Sequence, residues 1–567
     1  MGIAGRGRVP VVAALLLFML AGLGAPVNAA GAETPYVRAE GTRFVLDGRS
    51  FYVAGTNNHY LGWGTRAEVD SVLESAAGSG YNVVRGILHS VKGSPDGTTK
   101  RHVWNPASTA DSSNMGVHGT YLAYWDPARS TYAFNDSATD GLGRWDYVIF
   151  KAGRLGLRLN IAMLDFWQWA GGSQQVNAWY LDGYDAAADP RRYTFFYQDP
   201  RAKQFYRDWT AHVLNRVNPL TGIRYKDDPT IFAWDLMNEP EVSSVALAQS
   251  WMQEMASHLK AQGARQLVGS GSEGFYDGRA GSDPDTEPAA VPAVDFQTWH
   301  VYPTYHNVPP ADVTDLIERH CASARRAGKP VLLQEFAYPA TTEAARESRA
   351  ELYRTWLAAV QANDDCAGWL YWRLEGKVKP QPTRPHPQDD TADPGTFVWP
   401  ADNGEGFGIN GSTDPAYPVF ASAAADMRAK NVSTVVDDAV TGVGGWTYSD
   451  GWTHCTNCDE LTPPVAYHGR SQSWSAVAGR TATLTFTGVR VSYYGVIAAH
   501  HGVAAVSVDG GPETLIDLHG TTKAGDVLVW TSPTLPRGSH TLRIRVTGYR
   551  NAVSAGTGVT LDRAAFE

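Results

Sequence analysis

IFAWDLMNEP, residues 231–240, opens like a buried β-strand and closes on an amide, a carboxylate and a proline. Asn238 and Glu239 at the end of an apolar run cost free energy unless they are paired or used. Seven further stretches share that apolar pattern: FYVAGTN (51–57), VVRGIL (83–88), RLNIAML (158–164), QLVGSGS (266–272), FQTWHVYP (296–303), PVLLQEFA (330–337) and GWLYWRL (368–374). Near-continuous apolar runs suit parallel strands covered on both faces. Amphipathic stretches separate them, at 65–80, 199–218, 244–263, 311–328, 343–363 and 418–431. The first starts at a Thr cap and ends at Gly, and the second opens on Asp199-Pro200. Eight such β/α units predict a (β/α)₈ TIM barrel, an α/β fold. A doubly wound open sheet is the alternative, but no glycine-rich phosphate loop follows the first strand.

In such a barrel, chemistry sits at the C-terminal strand ends. The longest connections follow strands 2, 3 and 8, on that face, and they carry Trp104, Trp125, Trp167, Trp169, Trp179 and Trp399. Long βα loops of this kind are usually functional. Rings at a cleft suit stacking on the apolar faces of sugars; the alternative is packing within the loops.

The whole chain sets outer bounds. Its 567 residues carry 48 basic and 58 acidic side chains, a formal net charge of −10, and no long basic run, which argues against nucleic acid as a partner. Arg6 and Arg8 precede an apolar run from Val11 to Leu20, and Val27-Asn28-Ala29 offers small residues for cleavage. Residues 1–29 therefore read as a signal peptide, and the protein as secreted, with no membrane contact after its removal. As a membrane anchor the run is short, and Gly22, Gly24 and Pro26 interrupt the chain just beyond it. An oxidising compartment allows the four cysteines two bridges. Cys321–Cys366 is expected between the helices flanking strand 7. Cys455-Thr456-Asn457-Cys458 is expected as a small loop disulfide rather than a zinc or redox site, having no second ligand pair. From about residue 436 short β-rich runs alternate with turns, as in TATLTFTG and HTLRIRVTG, and Asp509-Gly510-Gly511 reads as a hairpin turn. The expected layout is 1–29 signal, 34–431 barrel and 436–567 all-β sandwich.

Two barrel strands end in glutamate: strand 4 at Asn238-Glu239-Pro240 and strand 7 at Gln334-Glu335-Phe336. The eight-strand register puts both on one mouth, nearly opposite each other. Paired carboxylates flanking a bond are what glycoside cleavage requires. One must hold a proton and the other must be ionised, so their environments must split their pKa values. The alternative for either is a structural ion pair.

Here the sequence resembles glycoside hydrolase family 5, and within it the secreted endo-β-1,4-mannanases. The likeness rests on VAGTNNHYLGWGTRAEVDSVLESAAGSGYNVVRGIL, DGLGRWDYVIFKAGRLGLRLNIAML, IFAWDLMNEP, DFQTWHVYP, GKPVLLQEFA and GWLYWRL, in order over residues 51–374. It implies retaining hydrolysis of a β-linked polysaccharide or oligosaccharide by two glutamates, with Glu239 as acid/base and Glu335 as nucleophile. It further implies that Asn238 binds the sugar 2-hydroxyl, Arg85 keeps Glu335 ionised, His300 and Tyr302 flank the pair, and Trp372 lies under the −1 sugar. Trp167 falls where a family aromatic lines the cleft. No cofactor is expected and no metal: the 16 His contain no HExxH arrangement, and two-carboxylate hydrolysis needs none. A monomer is expected.

The chain departs from the mannanase pattern after Asn-Glu-Pro, where Glu241 stands in place of Arg. A carboxylate lacks the guanidinium's donors. The segment from His89 through Gly143 is unusually long. A β-1,4-glucanase, an exo-acting β-glycosidase and, further off, a non-enzymatic glycan-binding protein are therefore the alternatives to a mannanase. The late β-domain resembles jelly-roll modules appended to secreted glycosidases, and is either carbohydrate-binding or a spacer. Trp446, Trp452, Trp474 and Tyr494 are its sugar contacts only if exposed in a row.

Overall fold

The computed structural model describes residues 36–566 apart from 47–48, 104–119, 275–290, 376–405, 411–413, 431–433, 459, 462–463, 466, 489, 534 and 537. Residues 1–29, expected as a signal peptide, and Trp104 and Trp399 lie outside the described residues, as does the side chain of Trp169. The eight strands expected from the sequence are all present: β1 (Val53–Asn57), β2 (Val83–Ile87), β3 (Arg158–Ala162), β4 (Ile231–Asp235), β5 (Leu267–Gly269), β6 (Gln297–Val301), β7 (Val331–Phe336) and β8 (Cys366–Tyr371). They form one parallel sheet in the order β5-β4-β3-β2-β1-β8-β7-β6, and a parallel bridge from Gly269 to Phe296 joins its two edges. Helices α1 (Arg66–Gly78), α2 (Arg144–Arg154), α3 (Pro200–Asn215), α4 (Val245–Ala261), α5 (Val313–Ala327), α6 (Glu343–Ala362) and α7 (Ala416–Lys430) surround it.

Local chemistry explains where these helices start. Thr65 and Glu68 form a reciprocal capping box on α1, and Asp199 caps α3 with Pro200 in its first turn. Among the described residues no helix follows β5; the connection begins as the glycine-rich GSGSEG (269–274). An N-terminal hairpin (Arg38–Glu40 with Arg43–Leu46) closes the bottom of the barrel. Its Phe44 ring packs edge-on against Phe232 and Phe296, 5.0 and 5.4 Å between centroids. The bottom is thus apolar and filled, and the polar chemistry is left to the opposite mouth.

Cys321 and Cys366 are bridged, as expected, with Cα atoms 5.0 Å apart. The bond ties α5 to the first residue of β8 rather than to a second helix. Cys455 and Cys458 are not bridged, contrary to expectation. Cys455 sits in a strand ladder opposite Gln472, and the Cys458 thiol lies 3.6 Å from the Arg470 carbonyl.

Residues 434–566 form antiparallel β-sheets. A four-stranded sheet and a five-stranded sheet pack face to face on a core that includes Trp446, Leu484, Tyr493, Val506, Leu542 and Ile544. Asp509 and Gly510 both adopt positive φ, 53° and 70°, so the expected hairpin turn is present. The exposed row of sugar contacts is absent. Trp446 and Trp452 belong to the core, and Tyr494 is buried beneath Arg563, whose guanidinium lies 3.5 Å from its ring centroid.

Candidate active site

Strand ends bring the polar residues together at the mouth. Glu239 follows β4 in a left-handed conformation, φ +48°, which a glutamate adopts only under constraint. That constraint comes from the next strand. The Glu239 N–H donates to the Gly271 carbonyl at 2.8 Å, and a Cβ on Gly271 would lie 1.9 Å from the Met237 carbonyl oxygen. Only glycine allows this approach, and its φ of +73° suits it as well. The Glu239 carboxyl is thereby held between His300 Nδ1, 2.7 Å from Oε1, and the Trp167 indole N–H, which donates to Oε2 at 2.6 Å.

Glu335 is placed by an irregularity in β7. Trp299 pairs with Leu333, but His300 pairs with Glu335, so Gln334 is the extra residue of a bulge. A regular strand would send Gln334 and Glu335 to opposite faces. Here both side chains reach into the barrel. Glu335 accepts from the Tyr302 hydroxyl and from Arg85 Nη1, and is almost wholly buried. Gln334 Nε2 donates to Asn160 Oδ1 at 2.8 Å and to Asp235 Oδ2 at 2.9 Å.

Arg85, fully buried at the end of β2, organises the floor. It donates to Asp235 (2.9 Å), Asn57 (3.2 Å) and Asn238 Oδ1 (2.9 Å) as well as to Glu335. Asn238 in turn donates from Nδ2 to Asp165 at 3.1 Å, which fixes its amide orientation. Trp372 packs beside Tyr302 and Phe407 and sits 6.1 Å from His59, ring to ring. His89 stacks on Trp63 at 4.5 Å, with its Nδ1 3.9 Å from Asp165. Thus Arg85, Trp167, Asn238, Glu239, His300, Tyr302, Glu335 and Trp372 converge on one mouth. Trp125 and Trp179 instead pack against each other inside the loops.

Sequence reasoning missed Asn57, Asp165, Asp235, Gln334, and the pair Glu273–His306, 3.2 Å apart. A usable signal existed for Asn57, a polar residue that closes an apolar strand and so needs a partner.

The electrostatics are those of a coupled set. Burial pushes the Glu239 carboxyl up, but His300 and the Trp167 N–H outweigh it and hold it below the ordinary glutamate value. Burial pushes the His300 imidazole down, but Glu335 and Glu239 outweigh that and raise it. Glu335 ends above its ordinary value, because burial and the Glu239 charge exceed the help of His300, Arg85 and Tyr302. Burial likewise disfavours the Arg85 charge, but Glu335 and Asp235 more than compensate. One ligand atom each from Glu239, His300 and Glu335 lies within 4.8 Å of the others, the sole metal-like grouping among the described residues. The Arg85 cation already sits against Glu335, where a metal ion would be repelled. The arrangement suits a bond placed between two carboxyls, one of them proton-sharing with an imidazole.

Comparison with known proteins bears on what that bond is. Residues 34–396 match the model of the glycoside hydrolase family 5 β-mannosidase-like proteins. Mannan endo-1,4-β-mannosidase 1 of Oryza sativa subsp. japonica is 30% identical over 408 residues, covering 65% of this chain and 85% of the relative. The crystal structure of the endo-1,4-β-mannanase from Rhizomucor miehei is 26% identical, covers 70% of this chain and 99% of its own, and gives a TM-score of 0.55. The endo-β-1,4-mannanase structure from Thermotoga petrophila covers 88% of this chain and 92% of its own at 22% identity and a TM-score of 0.54, a likeness of fold that reaches beyond the barrel.

Proposed function

Because this chain belongs to the β-mannosidase-like members of glycoside hydrolase family 5, we propose that it is a secreted, retaining endo-β-1,4-mannanase. The glycoside hydrolase class follows from the family; the polymer, the mode of cleavage and the residue roles are our reading. The observation that carries it is the pairing of Glu239 and Glu335 oxygens within 4.8 Å at one barrel mouth. Retaining enzymes hold their carboxyls about 5–5.5 Å apart, whereas inverting enzymes leave about 6.5–9.5 Å for a water.

In this reading the Glu335 carboxylate attacks the anomeric carbon. The bond from that carbon to the leaving oxygen breaks, and the oxygen takes a proton from Glu239. Arg85 and the Tyr302 hydroxyl hold the attacking carboxylate and favour its ionised form, against the burial and the Glu239 charge that leave it above the ordinary glutamate value. Asn238, oriented by Arg85 and Asp165, meets the sugar 2-hydroxyl, and Trp372 supports the ring. Glu239 then takes a proton from water, the hydroxide oxygen bonds to the anomeric carbon, and Glu335 leaves with configuration retained. We assign residues 1–29 to the signal peptide, 34–431 to the catalytic domain and 436–567 to an ancillary β-sandwich. No helix of the described residues is long and apolar enough to cross a membrane.

Digestion of mannan, cellulose and mannohexaose by wild type and Glu335→Ala tests the reading. Internal cleavage of mannan into mixed short oligosaccharides, lost in the variant, is the expected result. Release of mannose alone from chain ends would replace the endo assignment, and preferential cleavage of cellulose would replace the substrate.

A further inference from the structure

The hydrogen bonds beneath the two glutamates form a continuous circuit, and they determine where its mobile proton sits. Asp235 is the fixed point, because a carboxylate buried against Arg85 accepts and does not donate. Gln334 must therefore present its NH₂ to Asp235 and Asn160, at 2.9 and 2.8 Å. Asn160 agrees: its own NH₂ faces the Ala233 carbonyl, leaving its oxygen for Gln334. With the amide set this way, Gln334 Oε1 faces His300 Nε2 at 3.3 Å and can only accept. His300 Nε2 must then carry a hydrogen. The nitrogen free to gain or lose a proton is Nδ1, which faces Glu239 Oε1 at 2.7 Å.

We propose that Gln334 is a positioning residue of the reaction: clamped by Asp235 and Asn160, it fixes the His300 tautomer so that Nδ1 lends its proton to Glu239 and takes it back. The proposal rests on the reading of Glu239 as acid/base. In the first step the proton leaves His300 Nδ1 for the Glu239 carboxyl, and the imidazole becomes neutral with Nε2–H still on Gln334. Glu239 then gives that proton to the leaving oxygen as the glycosidic bond breaks. In the second step a water proton passes to Glu239 and on to Nδ1. Neither step changes the Nε2 hydrogen bond, so the circuit needs no reorientation between half-reactions. The bulge in β7 makes this arrangement possible, because it turns Gln334 inward beside Glu335. The groups facing His300 from its neighbours are Glu239 beyond β4, Glu335 on β7 with Oε2 at 3.7 Å, and Arg85 on β2. Asp235 and Tyr302 complete the ring of charged and titratable groups reached through Gln334 and Glu335.

Two substitutions shift the circuit in opposite senses. Gln334→Glu puts a negative acceptor on Nε2, which strengthens proton binding by the His300–Glu239 pair. Gln334→Met removes the acceptor and weakens it. On mannohexaose, whose leaving group needs a proton, the alkaline limb of kcat/KM should move up in Gln334→Glu and down in Gln334→Met, each by about half to one pH unit. On 2,4-dinitrophenyl β-mannobioside, whose leaving group needs none, kcat/KM reports only the first bond cleavage and should stay within about threefold of wild type in both variants, while a thermal unfolding transition close to that of wild type reports that they fold. Shifts of the same sign, no shifts, or equal losses on both substrates would overturn the role of Gln334. Glu239→Ala is the reference: its kcat/KM should fall about 10²–10⁴-fold on mannohexaose and far less on the dinitrophenyl substrate. Equal losses on both there would reject Glu239 as the acid, and the proposal with it.

Discussion

At the scale of single residues, the site is governed by one buried cation. Arg85 faces Asp235 and Glu335 with no exposure to solvent, so its removal leaves two carboxyls buried without their partner. Breaking a buried pair this way costs about 3–5 kcal/mol. Arg85→Met should therefore destabilise the barrel by about that amount in urea unfolding and abolish most activity, whereas an unchanged unfolding midpoint would show that Asp235 and Glu335 do not depend on it. The two glutamates of the mouth were legible in the sequence because each ends an apolar strand in a position where burial demands a use. Gln334 was not, because a strictly alternating strand points it away from Glu335. Only the bulge, which no local residue pattern announces, turns both inward. Asp235 was hidden for a related reason: within the run IFAWD it reads as the polar end of a strand, while its meaning depends on Arg85, 150 residues earlier.

At the scale of elements, strand ends rather than strands carry the function. All eight strands were legible from apolar runs, with limits differing from the observed ones by a few residues at their polar ends. The polar ends are where the chain leaves the ladder to form the site. The connection after β5 has no amphipathic stretch in the sequence between residues 272 and 296, and its described part is glycine-rich chain. That chain has a specific task. Gly271 lets β5 approach β4 closely enough for its carbonyl to hold the Glu239 N–H. Gly271→Ala should force the two strand ends apart, costing about 1–3 kcal/mol of backbone strain and lowering kcat more than KM by misplacing Glu239. Wild-type kcat in that variant would mean that Glu239 is positioned without β5.

At the scale of the molecule, a barrel with a polar mouth is joined to a β-sandwich whose own polar core has a consequence. Ser471 Oγ lies 2.7 Å from Asp437 and 2.6 Å from Asp438, and Ser473 Oγ lies 2.5 Å from Asp438. One serine hydroxyl cannot donate to two carboxylates, and burial pushes Asp438 up to about 6. A carboxyl whose pKa is raised by folding adds stability at low pH that is lost as pH rises through the folded value. Wild type should thus lose more thermal stability than Asp438→Asn between about pH 4.5 and 7.5; parallel calorimetric profiles would show that Asp438 does not titrate in this range. The central claim is that Glu335 is the group that bonds to sugar. Treating the intact protein with a 2-deoxy-2-fluoro-β-mannosyl fluoride, then locating the added mass by peptide mass spectrometry, tests this directly. A single mannosyl adduct on the peptide and side chain of Glu335 is predicted; an adduct on Glu239, or turnover with inverted configuration and no adduct, would contradict it.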